Sequence, residues 1–138
     1  MNQKNTKKTI EYKRKRRTLK DLGEEAITSI VTTILCEIGV PADILGYKYI
    51  HEAILMTADD AGFIKDTGNL YSSLARKYQT TPSEVESTMS RAIGFTWDRR
   101  RDINSRDTFD YFFNKCEIKP TGHEFVKLIA DRLVQVFS

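Results

Sequence analysis

What the chain lacks narrows it first. None of its 138 residues fall in an apolar run approaching the roughly 20 that a membrane-spanning helix needs. The basic N-terminus is not followed by the apolar core of a secretory signal. Cysteine is scarce: Cys36 and Cys116 lie 80 positions apart, match no metal-ligand or redox spacing, and read as free thiols of a reducing cytoplasm. With three prolines and seven glycines, long stretches are free to be helical, and no segment shows the strict alternation of a strand.

Catalytic signatures are missing too. His51-Glu52-Ala53-Ile54-Leu55 comes nearest to a zinc protease motif, but the second histidine, needed one turn later to hold the metal, is Leu55. His123 stands far off in sequence and reads as a surface or capping residue. There is no glycine-rich phosphate loop, no serine or cysteine nucleophile with an identifiable base, and no carboxylate pair spaced for general acid–base work. No enzyme activity, metal or cofactor is expected.

What is present is charge, unevenly spread. Residues 1–22 hold nine of the 22 Lys and Arg but only two of the 19 acids, so this stretch carries +7 and the remaining 116 residues −4. The stretch is polar, nearly free of apolar periodicity, and reads as a disordered or only marginally helical basic tail ahead of one domain over 23–138. Its run Lys13, Arg14, Lys15, Arg16, Arg17 suits DNA phosphates, as an arm along the backbone or in a groove; the competing reading is a solubilising tail without a partner. A net negative body is not what nonspecific DNA binding selects.

From Glu24 onward the periodicity is helical. Ile27, Ile30, Val31, Ile34, Leu35 and Ile38 trace one side of a first helix that stops at Gly39 and Pro41. Asp43 is placed to cap a second, whose Ile44, Tyr47, Ile50, Ala53, Ile54 and Thr57 point inward and which fades by Asp59-Asp60-Ala61-Gly62; a loop to Asn69, carrying Gly68, is expected to follow. Thr108 to Asn114 forms a short aromatic helix, and Pro120 opens a last one with Phe125, Leu128, Ile129, Leu133 and Val136 on one face. The fold class is all-α, about six helices. Tyr47, Tyr49, Trp97, Phe109 and Phe112 fall mostly at core spacing, which favours packing over base stacking.

Leu70 to Trp97 organises the rest. Leu70, Leu74 and Tyr78, with Ala75, mark one short helix; Val85, Met89, Ala92, Ile93, Thr96 and Trp97 mark the buried face of another. Between them Thr81 is an N-cap, Pro82 suits the first helical position, and Glu84 is placed to close a capping box. Ala75 is small enough to let the two helices cross steeply. This is the pattern of a helix-turn-helix, and also of helical domains that bind no nucleic acid. Asp98-Arg99-Arg100-Arg101-Asp102 ends the second helix, as positive charge does favourably.

Three segments, ITSIVTTILCEIGVPADILGYKYIHEAI (27–54), LARKYQTTPSEVESTMSRAIGFTW (74–97) and KPTGHEFVKLIADRL (119–133), together resemble the C-terminal effector domain family of stage zero sporulation protein A, a response regulator of endospore-forming bacteria. The resemblance implies a six-helix domain that puts the second helix of its helix-turn-helix, about 82–97, into the DNA major groove. It further implies tandem sites on which two copies can meet, and contact with RNA polymerase through about 98–113. The family regulator carries a phosphorylated receiver domain where this sequence has its basic tail, so control is expected through expression level, oligomerisation or a partner.

On the reading helix the family glutamate matches Glu86, and Val85, Ala92, Ile93, Trp97 and Arg99 also match. Family arginines are replaced by Glu84, Ser87 and Ser90, and the family histidine by Arg91. Lys77 matches a family lysine and suits a phosphate. The DNA-contacting set is therefore Lys77, Thr81, Ser83, Glu86, Ser87, Ser90, Arg91 and Arg99. Arg91 is the one long donor left for a guanine edge, and Glu86 can accept from a cytosine amine. Gly94, which costs around 1 kcal/mol relative to Ala in mid-helix, either lets the DNA backbone approach or is merely tolerated.

The expectation is thus a cytoplasmic, nucleoid-associated transcription regulator that binds double-stranded DNA sequence-specifically, with no membrane association. Two alternatives stay open: an interaction module that antagonises or partners a full-length regulator or RNA polymerase, and a factor in plasmid or phage replication or copy control.

Overall fold

The computed structural model describes residues 22–59, 67–102 and 106–137, and these form six helices and no strand. They are α1 (Glu24–Glu37), α2 (Leu45–Asp59), α3 (Thr67–Lys77), α4 (Pro82–Asp98), α5 (Arg106–Phe113) and α6 (Gly122–Val136). The expected all-α architecture is present. The tail residues Lys13, Arg14, Lys15, Arg16 and Arg17, and the fade of the second helix at Asp60-Ala61-Gly62, lie outside the described residues.

Each boundary has a local cause. Glu24 and Glu25 sit in the first turn of α1, where the helix dipole favours acids. Gly39, at φ 91°, ends it: the Gly39 N–H donates to the Cys36 carbonyl at 3.1 Å and Val40 to Leu35 at 2.9 Å. These are the two bonds of a Schellman stop, and Leu35 and Val40 are both buried, as its apolar contact requires. α2 opens at Leu45, so Asp43 stands one residue before the position from which it would cap. Thr121 caps α6, with Glu124 returning a bond to the Thr121 N–H at 2.9 Å. Pro120 therefore precedes the last helix rather than opening it.

α2 is the centre, packing on α1, α3, α4 and α6, while α5 bridges α1 and α6. Ile50, Ala53 and Ile54 are fully buried, and Tyr49 and Thr57 nearly so. Against α4 the approach is very close. A Cβ on Gly46 would stand 2.5 Å from the Ala92 Cβ and 2.9 Å from the Thr88 carbonyl oxygen. Gly46 is thus the small residue that admits α4 against α2, and Ala75 of α3 is buried. Phe113 stacks on Phe125 with ring centres 4.7 Å apart, and Phe109 lies between Phe113 and Trp97. Tyr49, Phe109 and Phe112 are core, and Tyr47 and Trp97 pack against it. Val136 departs from the expected inner face of α6: it is 51% exposed, and Phe137 beside it packs against the core instead.

Candidate nucleic-acid interface

α3 and α4 meet through a four-residue turn, Tyr78 to Thr81. Gln79 takes φ 55°, a left-handed conformation, so that the Thr80 N–H can reach back to the Ala75 carbonyl at 2.9 Å. Thr81 then returns to extended backbone, and its hydroxyl accepts the Glu84 N–H at 3.2 Å, with Pro82 next to it in the first turn. The start expected from the sequence is where it should be. Of the capping box only this half forms; Glu84 is exposed and makes no return bond to Thr81, whereas the full reciprocal pair occurs at Thr121 and Glu124.

Val85, Met89, Ala92, Ile93 and Thr96 bury one side of α4. That fixes the opposite side: Ser83, Glu84, Ser87, Arg91 and Asp98 are exposed, with Ser90 and Gly94 half-covered on one flank and Thr88 on the other. Ser83 to Arg91 spans roughly 12 Å along the axis. The Arg91 guanidinium donates to the Ser87 and Thr88 hydroxyls at 3.2 and 3.3 Å, which lays it along its own helix. Both acceptors are at the surface, so these bonds exchange with solvent or ligand at little cost.

Other expected residues stand apart from that cluster. Thr81 has spent its hydroxyl on the cap. Glu86 is exposed on the side of α4 facing Tyr71, whose phenol is pushed up mainly by burial, with Glu86 and Glu124 acting in the same direction. Lys77 ends α3 in an ion pair with Glu52 of α2, and the bond to that carboxylate raises its pKa. Any phosphate must compete with Glu52 for it. Arg99 lies two turns beyond Arg91, its guanidinium 3.5 Å from the Phe95 ring centre and bonded to the Phe95 carbonyl at 3.2 Å. Arg100 likewise lies over Trp97 at 4.0 Å and donates to its carbonyl at 2.7 Å. The two arginines thus close the C-terminal end of α4, where free carbonyls and the dipole both favour cations.

One residue that the sequence reading passed over reaches this surface. Lys119, in the connection between α5 and α6, places its ammonium 3.4 Å from the Ser90 hydroxyl. Two sequence signals bear on it: it opens the KPTGHEFVKLIADRL segment, and a glycine stands mid-helix at position 94.

A surface helix with a capped N-terminus, held across a short turn by a second helix and presenting a polar outer face, is the arrangement of a helix-turn-helix. The family model described as sporulation initiation factor Spo0A C terminal matches residues 31–133, from the middle of α1 to near the end of α6. The chain belongs to that family of all-helical, DNA-binding domains of a sporulation regulator.

Proposed function

We propose that the chain is a sequence-specific transcription regulator that inserts α4, residues 82–97, into the major groove of double-stranded DNA. The observation that carries this is the outer face of α4: Ser83, Ser87 and Arg91 are exposed over a fully buried Val85–Met89 ridge, at the N-terminal end of a capped helix. Arg91 reads a guanine edge once it leaves Ser87 and Thr88, and Glu86 accepts from a cytosine amine on the flank. Ser83, Ser87 and Ser90 offer short bonds to either base or phosphate. Thr81, at the helix start, and Lys77 and Arg99, at the two outer ends of the motif, serve the phosphates.

The basic arm Lys13, Arg14, Lys15, Arg16 and Arg17 adds phosphate contacts, and binding takes place where the DNA is, in the cytoplasm. Two copies meet on tandem sites, and RNA polymerase docks along residues 98–113. Relative to a reading face rich in arginine, this one selects a different or more relaxed site.

Selection of bound duplexes from a random pool, at moderate salt, tests the proposal. An enriched motif that Arg91→Ala degrades supports it. No enriched motif, together with capture of a purified full-length regulator or RNA polymerase, favours the interaction module, a reading that the −4 charge of residues 23–138 supports. Sites mapping to a replication origin rather than to promoters favour replication or copy control.

A further inference from the structure

The outer face of α4 carries a single long donor, Arg91, between short serines and Gly94. A neighbouring element supplies a second. Lys119 is exposed and comes from the α5–α6 connection, just ahead of the Thr121 cap that fixes where α6 begins. Its side chain lies across α4 at Gly94. A Cβ there would meet the Lys119 Nζ at 3.6 Å and Cδ at 3.8 Å, and nothing else within 4 Å outside the helix's own turns. The ammonium bonds to Ser90, one turn earlier. Ser90 and Gly94 are small, and together they leave room on this flank for the Lys119 Cδ and ammonium.

The charge on that flank is available. Neither the Lys77–Glu52 nor the Lys127–Asp131 ion pair engages Lys119, whose bonded partner is the neutral Ser90 hydroxyl. An ammonium is a compact point charge with three freely turning donors, better matched to a phosphate oxygen than to the planar, two-point edge of a base. It also lies on the Ser90–Gly94 flank of α4 rather than on the outermost line of Ser87 and Arg91. When a helix enters the major groove its outermost line faces the bases, and its flanks face the sugar-phosphate walls.

We propose that Lys119 is a phosphate-contact residue of the DNA interface, seated on α4 by Gly94 and Ser90, and that it sets how deep and at what tilt α4 sits. The glycine is then explained by the lysine that crosses it, not by an approach of the DNA backbone. This inference rests on the reading that α4 enters the groove.

The test uses the full chain and a duplex obtained by selection, with affinity measured across a salt series. Lys119→Ala should weaken binding to selected and random duplexes alike and reduce the log K against log salt slope by about 0.9, one phosphate's worth of released counterions. Lys119→Arg should keep the slope. Gly94→Leu, which fills that room, should lower it as Lys119→Ala does, with little further change in the double variant. The thermal midpoint of each variant establishes that it is folded. A slope unchanged in folded Lys119→Ala, while the unaltered chain binds with a clear slope, overturns the role of Lys119 and leaves the groove reading standing. A loss confined to one base pair overturns it in favour of a base contact. Absence of salt-dependent duplex binding by the unaltered chain overturns both.

Discussion

Gly46 and Ala92 meet so closely that a single added methyl group on the glycine would stand 2.5 Å from the alanine's own. It marks a very close approach of α4 to the central α2: no side chain fits at residue 46 without displacing α4. Gly46→Ala should therefore destabilise the fold by about 2 kcal/mol, since overpacking a tight core typically costs 1–3 and the better helix propensity of Ala returns only part of that. Urea unfolding followed by circular dichroism measures it. Ala92→Gly in the same chain should recover only part of the loss, because the Thr88 carbonyl, 2.9 Å from the added methyl, stays where it is.

Gln79 holds φ 55° in the turn between α3 and α4, a region that side-chain-bearing residues enter at a cost. Gln79→Gly should raise stability by up to about 1 kcal/mol, the gain in backbone ease exceeding the entropy that a glycine adds to the unfolded chain. The unfolding midpoint reads this directly. A lower midpoint would mean that the glutamine side chain, rather than the backbone, sets the turn.

Much of this architecture is legible in the sequence because it depends on local patterns. The spacing of Ile27 to Ile38, of Leu70 to Tyr78 and of Val85 to Trp97 is a property of neighbouring residues, and so is the Thr81-Pro82 start. Asp43 and Pro120 mislead by one or two residues because several residue types tolerate a helix entrance, and tertiary packing chooses among them. The Thr121-x-x-Glu124 box is written in the sequence, yet Pro120 beside it is the louder signal. For the interface, helical period shows which α4 side chains face outward, and the resemblance, not the period, proposes that they meet DNA. The Lys119–Ser90 bond, across 29 positions, and the diversion of Lys77 to Glu52, across 25, follow from how helices are stacked, and no periodicity encodes that.

His51 of α2 is half-buried beside the Tyr47 ring and 3.0 Å from the Thr32 hydroxyl of α1. Burial depresses its pKa below the ordinary 6.5, against the opposing pull of the Thr28 carbonyl and Glu52. As pH falls through 6.5 the unfolded chain takes up a proton that the folded one resists. The unfolded state then binds more protons, so stability declines with falling pH until the folded value is passed. The unfolding midpoint should drop between pH 7.5 and 5.5, and His51→Gln, which keeps a partner for Thr32 and does not titrate, should flatten that part of the profile.

Residues 1–20 carry nine Lys or Arg, and this excess of charge should act through counterion release. Their removal should flatten the salt dependence of DNA binding by more than one unit of slope while leaving the preferred sequence unchanged, because phosphate contacts position and do not specify. A fluorescence-anisotropy salt series on both chains decides. An equal slope in the two would make the stretch a solubilising tail.

Arg91 is the sharpest test of how this chain reads DNA. Its guanidinium bridges Ser87 and Thr88, and on the proposed reading binding exchanges these two surface hydroxyl bonds for two to a guanine edge. The net gain is the difference between a charge-assisted pair in a dry groove and two solvent-exposed bonds. Arg91→Ala should accordingly cost roughly 1–3 kcal/mol on the selected site and relax the preference at one base pair. Ser87→Ala should cost less than Arg91→Ala, since it removes one short hydroxyl contact and not a two-point, charged one. Competition of each variant against single-base-substituted duplexes separates the outcomes. A uniform loss across all sequences would make Arg91 a phosphate contact, and base reading would then fall to Glu86 and the serines alone, too few long donors for strong discrimination.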